Sequence, residues 1–190
     1  MTKIDPLLLE IPEQFTTERL LIRTAQNGDG AAVNEAIVES IAELRPWMPW
    51  AQTVPTPEET EAYSRRARSR FLLREDLHLR FFLKQTGQFV GSSGLHRIDW
   101  DVPKFEIGYW VRTSLAGRGY VTEAVGAIAD FALQKLSAQR VEIRCDERND
   151  RSCRVAERCR FELEATLRRD SRAPDGTLRN TRVYTRLAAS

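Results

Sequence analysis

The chain is poor in several things, and each shortage excludes something. Only three cysteines stand in 190 residues, Cys145, Cys153 and Cys159, with no Cys-x-x-Cys pair and no metal-ligand spacing. No metal site is therefore expected. The odd count points to reduced thiols that pack as small apolar groups, in a cytoplasmic setting. No apolar run reaches bilayer-spanning length, so no membrane partner is expected. Met1-Thr2-Lys3-Ile4-Asp5-Pro6 lacks the basic start and apolar core of a secretory signal. The formal charge is only +2, so charge balance requires no nucleic-acid partner. No repeat, low-complexity tract or linker interrupts the chain. Its 190 residues suffice for one domain with a real core, after an extended, Pro-bearing arm over residues 1–14.

Glycine is also sparse, and two of the ten glycines stand one residue apart in Leu115-Ala116-Gly117-Arg118-Gly119-Tyr120-Val121. A strand pattern precedes them, Phe105-Glu106-Ile107-Gly108-Tyr109-Trp110-Val111. A helical pattern follows, with Val121, Ala124, Val125, Ile128, Phe131 and Ala132 on one face. The order strand, Gly-rich turn, helix makes an anion cradle, because a helix start carries unpaired N–H groups and the positive end of its dipole. Thr122 stands where a dinucleotide fingerprint needs its third glycine, and the Gly-Lys-Ser/Thr of a phosphate P-loop is absent. Taken alone, the pattern is equally that of a tight turn that binds nothing.

The remaining elements follow from local signals. Leu20 to Thr24 reads as a first strand. Asn27-Gly28-Asp29-Gly30 reads as a turn, with Asp29 available to cap the amphipathic helix marked by Val33, Ile37, Ile41 and Leu44. That helix stops before Pro46. Thr56-Pro57-Glu58-Glu59 is a capping box with proline at the first helical position, opening a helix to about Arg74. Leu79 to Leu83 and Phe89 to Arg97 form hairpin strands. Val141 to Cys145 is a strand, Ser152 to Cys159 a short helix, and two strands near Phe161 to Arg169 and Arg179 to Leu187 close the chain. These elements predict an α/β domain: a mixed, mostly antiparallel sheet with helices on both faces.

Several segments, in order, resemble one family. Ser114-Leu115-Ala116-Gly117-Arg118-Gly119 resembles the acyl-CoA pyrophosphate motif of the GNAT superfamily of N-acetyltransferases, with Ser114 in place of the usual Gln or Arg. Asn149-Asp150-Arg151-Ser152, with Val155, Glu157 and Phe161, is similar to a signature of its Rim-type ribosomal-protein N-terminal acetyltransferases. Thr17 to Arg23, Leu44 to Trp50, and His96-Arg97-Ile98-Asp99-Trp100 before Glu106 to Trp110 match as well. The resemblance spans about Thr16 to Leu187. It implies a GNAT-like fold whose fourth and fifth strands, here Phe105 to Val111 and Val141 to Cys145, splay apart to take the pantetheine arm of acetyl-CoA.

The resemblance also implies roles. Leu115, Ala116, Gly117, Arg118, Gly119, Tyr120 and Val121 would hold the pyrophosphate, and Asn149 would bond the pantetheine or cap its helix. A backbone N–H near Trp110 or Val111 would polarise the thioester oxygen. Glu106 is the candidate carboxylate, binding the amine or a water, or taking its proton. Many relatives carry a tyrosine four residues before a Gly-Phe pair, as donor to the sulfur. Ala156 stands there, and Ser152 takes the donor role unless it is only a helix cap. Arg160 replaces the usual glycine before Phe161, which puts that turn in doubt. Trp47 and Trp50 line an acceptor groove or plug the sheet edge, and His96 is a base or a strand histidine bonded to a neighbour. The arginines at 65, 66, 68, 70 and 74 read as a solvated helix face.

The expected activity is acetyl transfer from acetyl-CoA to a primary amine by direct attack in a ternary complex. The acceptor is a protein or peptide N-terminal amine, with a small amine as the alternative and a non-catalytic CoA-binding regulator as the rival of another class. Nucleic acid would enter only through a ribosomal substrate. A homodimer is compatible with all of this.

Overall fold

The computed structural model describes residues 5–188. Eight strands form one sheet: β1 (Gln14–Thr16), β2 (Leu20–Thr24), β3 (Leu77–Leu83), β4 (Phe89–Asp99), β5 (Lys104–Val111), β6 (Arg140–Asp146), β7 (Glu162–Arg172) and β8 (Leu178–Leu187). Their order is β1-β2-β3-β4-β5-β6-β8-β7, and every pairing is antiparallel except β5 with β6. Helices α1 (Gly30–Leu44) and α2 (Pro57–Leu72) cover one face, and α3 (Tyr120–Lys135) and α4 (Asp150–Arg158) the other. The main core lies under α3. There Phe105, Ile107, Val141 and Ile143 meet Ala124, Val125, Ile128 and Ala132. A second cluster under α1 joins Val33, Ala36 and Ile37 to Phe82 and Phe89.

Local chemistry sets the helix ends. Thr56 and Glu59 make the reciprocal capping box, at 3.2 and 2.8 Å. Asn149 caps α4 by accepting from the Ser152 N–H at 3.1 Å. The cap of α4 is therefore Asn149, and Ser152 lies one turn inside the helix, its hydroxyl no part of the cap. Arg160 takes the left-handed conformation itself, with φ +63°. Its N–H reaches Glu157 O and that of Phe161 reaches Ala156 O, both at 3.0 Å. This is a Schellman close, kept at a cost of about 1–2 kcal/mol for a residue with a Cβ.

Three features differ from the sequence reading. The arm over residues 1–14 lies partly outside the described residues; within them Pro6–Leu8 form a 3-10 turn, Ile11 is buried, and Gln14 already belongs to β1. Asp29 does not cap α1. Its carboxylate instead accepts from Arg23 at 2.6 and 2.8 Å, from Arg80 at 2.7 Å and from the Gln26 N–H at 2.8 Å. The arginine face of α2 is not simply solvated. Arg65 pairs with Glu61, Arg68 with Glu13, and Arg74 donates to the carbonyls of Phe71 and Leu9, tying the helix to the arm.

Burial also sets a pH dependence. His78 faces α2 from β3, and desolvation, with Arg80 and His96 nearby, pushes its pKa down to about 3. The folded state thus refuses a proton that the unfolded chain binds below about pH 6.5. Stability from this group is present above that pH and is lost as pH falls toward 3, by roughly 1 kcal/mol per pH unit at the steepest. Urea midpoints measured between about pH 7 and 4 are expected to fall with pH, and to fall less in His78→Gln. Parallel curves for the two proteins would contradict this.

Candidate active site

The parallel pairing of β5 with β6 stops early. Lys104 faces Arg140, Phe105 faces Val141 and Glu106 faces Glu142, and beyond that the strands part. Ile107 to Val111 keep their bonds to β4 and leave the β6 side of the strand open. Strand N–H and C=O groups left this way accept a ligand that runs as a strand would.

The Gly-rich turn sits at the end of this slot. Gly119 precedes α3 with φ +80°, and Gly117 has φ +76°. A Cβ on Gly117 would meet nothing within 4 Å, so the cradle is open. Leu115 is buried beneath the turn. Its N–H goes to Arg112 O and that of Ala116 to Thr113 O. These two residues are therefore not free donors. The N–H groups of Gly117, Arg118 and Gly119 have no acceptor among the described residues. Tyr120 and Val121 open α3 and pack against the core, and the Arg118 side chain is exposed.

Two braces that the sequence reading missed hold the turn. Arg19 donates to Arg118 O at 3.0 Å and to Glu123 at 2.6 Å, and its guanidinium lies 4.5 Å over the Tyr120 ring. From α1, Glu39 accepts from the Ser114 N–H at 2.7 Å and from Arg112 at 2.5 Å. Both join residues more than 70 positions apart, which local pattern cannot show.

Valine in place of Gly119 puts a branched side chain on a positive φ at the cradle mouth. Acetyl-CoA affinity, read by calorimetry, is expected to fall tenfold or more, about 1.4 kcal/mol. Unchanged affinity in a folded variant would contradict the assignment.

On the α4 side of the slot, the Tyr109 hydroxyl donates to Ser152 O at 2.9 Å and shares a second 2.9 Å bond with Ser152 Oγ. Burial raises the Tyr109 pKa well above the phenol range, so it stays protonated. Ala156 leaves α4 without a tyrosine, and β5 brings a phenol to the same helix. Tyr109 was legible only as a residue on the face of β5 opposite Glu106. Cys145 and Cys153 lie nearby with their sulfurs 3.6 Å apart, and burial pushes the Cys145 thiol up to about 12.

The opposite face of the sheet carries a cavity of about 410 Å³ between α1, α2 and β3 to β5. Met48, Trp50, Val33, Ile37 and Trp110 line its apolar side, and Tyr63, His78, Arg80, Ser92 and His96 its polar side. The Trp50 and Trp110 rings are 6.0 Å apart. Trp47 is half-buried and does not line the cavity, so the tryptophan pair divides. Gly108, Tyr109 and Trp110 line the cavity too, and these lie past the end of the β5–β6 pairing. The slot and the cavity therefore open onto the same residues of β5.

Glu106 sits at the fork, two residues before Gly108. Its Oε2 is buried and lies 3.2 Å from the exposed Arg97 guanidinium, but without hydrogen-bond geometry. Burial raises its pKa against the opposing pull of Arg97 and Arg144. A buried carboxylate oxygen with no hydrogen-bond donor is an unfilled demand. Among the described residues no His, Cys, Asp and Glu cluster suits a metal ion, and no helix is long and apolar enough to cross a membrane.

A parted strand pair, an open glycine turn at a helix start and a cavity all meet along one strand. A family model described as "Acetyltransferase (GNAT) domain" matches residues 19–162, and the chain belongs to that family of acetyl-CoA-dependent N-acetyltransferases. It is 28% identical over 156 residues to a Bacillus subtilis (strain 168) protein named "Putative ribosomal N-acetyltransferase YdaF", covering 80% of this chain and 82% of the other. It is 28% identical over 120 residues to the ribosomal-protein-serine acetyltransferase of Escherichia coli (strain K12), covering 63% and 65%. The fold is that of RimL, a ribosomal L7/L12 alpha-N-protein acetyltransferase solved with coenzyme A. The TM-score is 0.86 at 21% identity, over 93% of this chain and 98% of the other. The expected mixed sheet with helices on both faces is the one observed.

Proposed function

We propose that the acceptor is the α-amine of a protein or peptide N-terminus, attacked directly while acetyl-CoA occupies the slot. The meeting of slot and cavity at Gly108 to Trp110 carries this reading, because it lets an amine on one face reach a thioester held from the other. The residues fit the cofactor. Gly117 to Gly119 offer free N–H groups to the pyrophosphate, and β5 offers its open edge to the pantetheine. When bound, acetyl-CoA supplies an acetyl group activated as a thioester.

The chain's own residues do the rest. The N–H near Trp110 or Val111 stands ready for the thioester oxygen. Glu106 Oε2 accepts from the incoming amine and orients its lone pair into the slot. Ser152 Oγ, whose hydrogen lies on the Tyr109 oxygen once the phenol donates to Ser152 O, turns that hydrogen to the departing sulfur. Asn149 acts through the helix it caps. Trp50 and the apolar wall take the residues after the N-terminus. An α-amine has a pKa near 8 and a lysine amine near 10.4, so the α-amine is the more readily deprotonated near neutral pH. The cavity's size also suits a compact small amine. Thiol release with acetyl-CoA, measured across N-terminal peptides, amino acids and polyamines, separates the two readings. Peptides are expected to give the highest kcat/KM, and preference for a small amine would replace this reading.

Ser152→Ala is expected to leave stability nearly unchanged, because Asn149 is the cap, and to slow single turnover about tenfold, the worth of a bond to a developing charge. Ser152→Asp is expected to be slower still, since an ionised carboxylate has no proton to give. A fully active Ser152→Asp would contradict the donor role.

A further inference from the structure

We infer that His96 is the catalytic base that takes the proton from the acceptor amine, and that Asp76 is the residue that positions it. The inference rests on the reading that the cavity receives the amine. His96 Nδ1 lies 2.8 Å from Asp76 Oδ2. A carboxylate has no hydrogen to donate, so Nδ1 carries the hydrogen in this bond and the neutral ring keeps its lone pair on Nε2. The partners sit 20 residues apart, one after α2 and one on β4, so neither is held by local chain geometry.

The sheet register aims Nε2 at the reaction. His96 pairs with Glu106 and Gly94 with Gly108, so the four share one face of the sheet, and of them His96 and Gly108 line the cavity. The ring lies over Gly108. A methyl group there would stand 3.7 Å from Cδ2 and 4.0 Å from Nε2. Glycine leaves that edge clear, at the residue where slot and cavity meet. His96 lines the cavity and keeps 27% side-chain exposure, enough to pass a proton to water.

The charged and titratable groups around the ring are Asp76, His78 and Arg80 on the β3 side, Arg97 and Glu106 on β4 and β5, and Tyr63 and Glu59 from α2. Of these only Asp76 is bonded to the ring. His78, 6.2 Å away, is held neutral by its burial. In the proton transfer one N–H bond of the ammonium breaks and one Nε2–H bond forms. The electron pair stays on the amine nitrogen, Asp76 opposes the charge gained by the ring, and the proton leaves to solvent. An imidazole ordinarily titrates nearer to neutral pH than a carboxylate does, which suits it to this exchange, while Glu106 orients the amine.

His96→Gln is expected to lose about 100-fold in kcat/KM, with acetyl-CoA affinity and melting temperature kept. Asp76→Asn is expected to lower kcat about tenfold with the KM for the amine kept, and Asp76→Glu, which keeps a carboxylate for Nδ1, to recover part of that loss. Parental kcat/KM in folded His96→Gln would overturn the assignment. So would an Asp76→Asn enzyme with parental kcat, or one whose loss lies in KM alone. The Asp76 variants decide the matter if His96→Gln does not fold. Failure of the parent chain to acetylate any amine would instead strike the proposed function.

Discussion

Replacing Asp29 with alanine is expected to destabilise the fold by about 3–5 kcal/mol, the usual cost of leaving a buried charge without its partner. Two charges are involved here. Arg80 has no exposed surface, and its Nη1 and the forked Arg23 guanidinium both converge on this one carboxylate. Arg80 keeps only Ser64 Oγ, at 2.7 Å, once Asp29 is gone, and its Nε is unpartnered already. Burial acts to raise the Asp29 pKa, but the bonds from Arg23, the Gln26 N–H and Arg80 outweigh it and hold the carboxyl below its usual value. Its contribution is therefore full above the unfolded carboxylate pKa of about 3.9, and is lost as pH falls through the folded value. Asp29→Asn keeps one acceptor oxygen and should lose less. Urea unfolding at neutral pH measures this, and a loss under about 1 kcal/mol for Asp29→Ala, the range of an exposed ion pair, would show that the network is not holding the fold.

The second large effect is expected at Glu106. Glu106→Gln keeps the shape of the side chain and removes its charge. If Oε2 orients the amine, kcat/KM should fall about 100-fold, as for loss of a hydrogen bond to a charged group. Acetyl-CoA affinity should be unchanged, because the cradle lies at the other end of β5. Parental turnover in the variant would make Glu106 a structural residue at the fork and no more.

The elements that position this site were legible in the sequence wherever a local pattern had enough residues to repeat. The apolar period from Val121 to Ala132 gives α3, and Thr56 with Glu59 gives the start of α2. The alternation from Phe105 to Val111 places Glu106 and Gly108 on one face and Tyr109 on the other. β1 was not legible, because three residues with exposed or half-buried side chains carry no readable period. Asp29 has the chemistry of a cap in the right place, and the arrival of Arg80 from 51 residues away, together with Arg23 and the Gln26 N–H, explains why it does something else. The same holds for Asp76 with His96, Tyr109 with Ser152, and Arg19 with the cradle. Each pair exists because the tertiary fold brings together residues distant in sequence. Trp47 and Trp50 look alike in sequence, and they separate in the fold, where Trp50 lines the cavity and Trp47 does not.

Where the acetyl group goes separates the possible outcomes most directly. A peptide bearing both a free α-amine and an internal lysine, incubated with the protein and acetyl-CoA at about neutral pH, can be fragmented and its acetyl group located by mass spectrometry. Acetyl on the α-amine, with the lysine untouched and the rate lowered in Glu106→Gln, is the result expected from an N-terminal amine held over the β5 fork. Acetyl on the lysine alone, or none on the peptide while a small amine is acetylated, would contradict it.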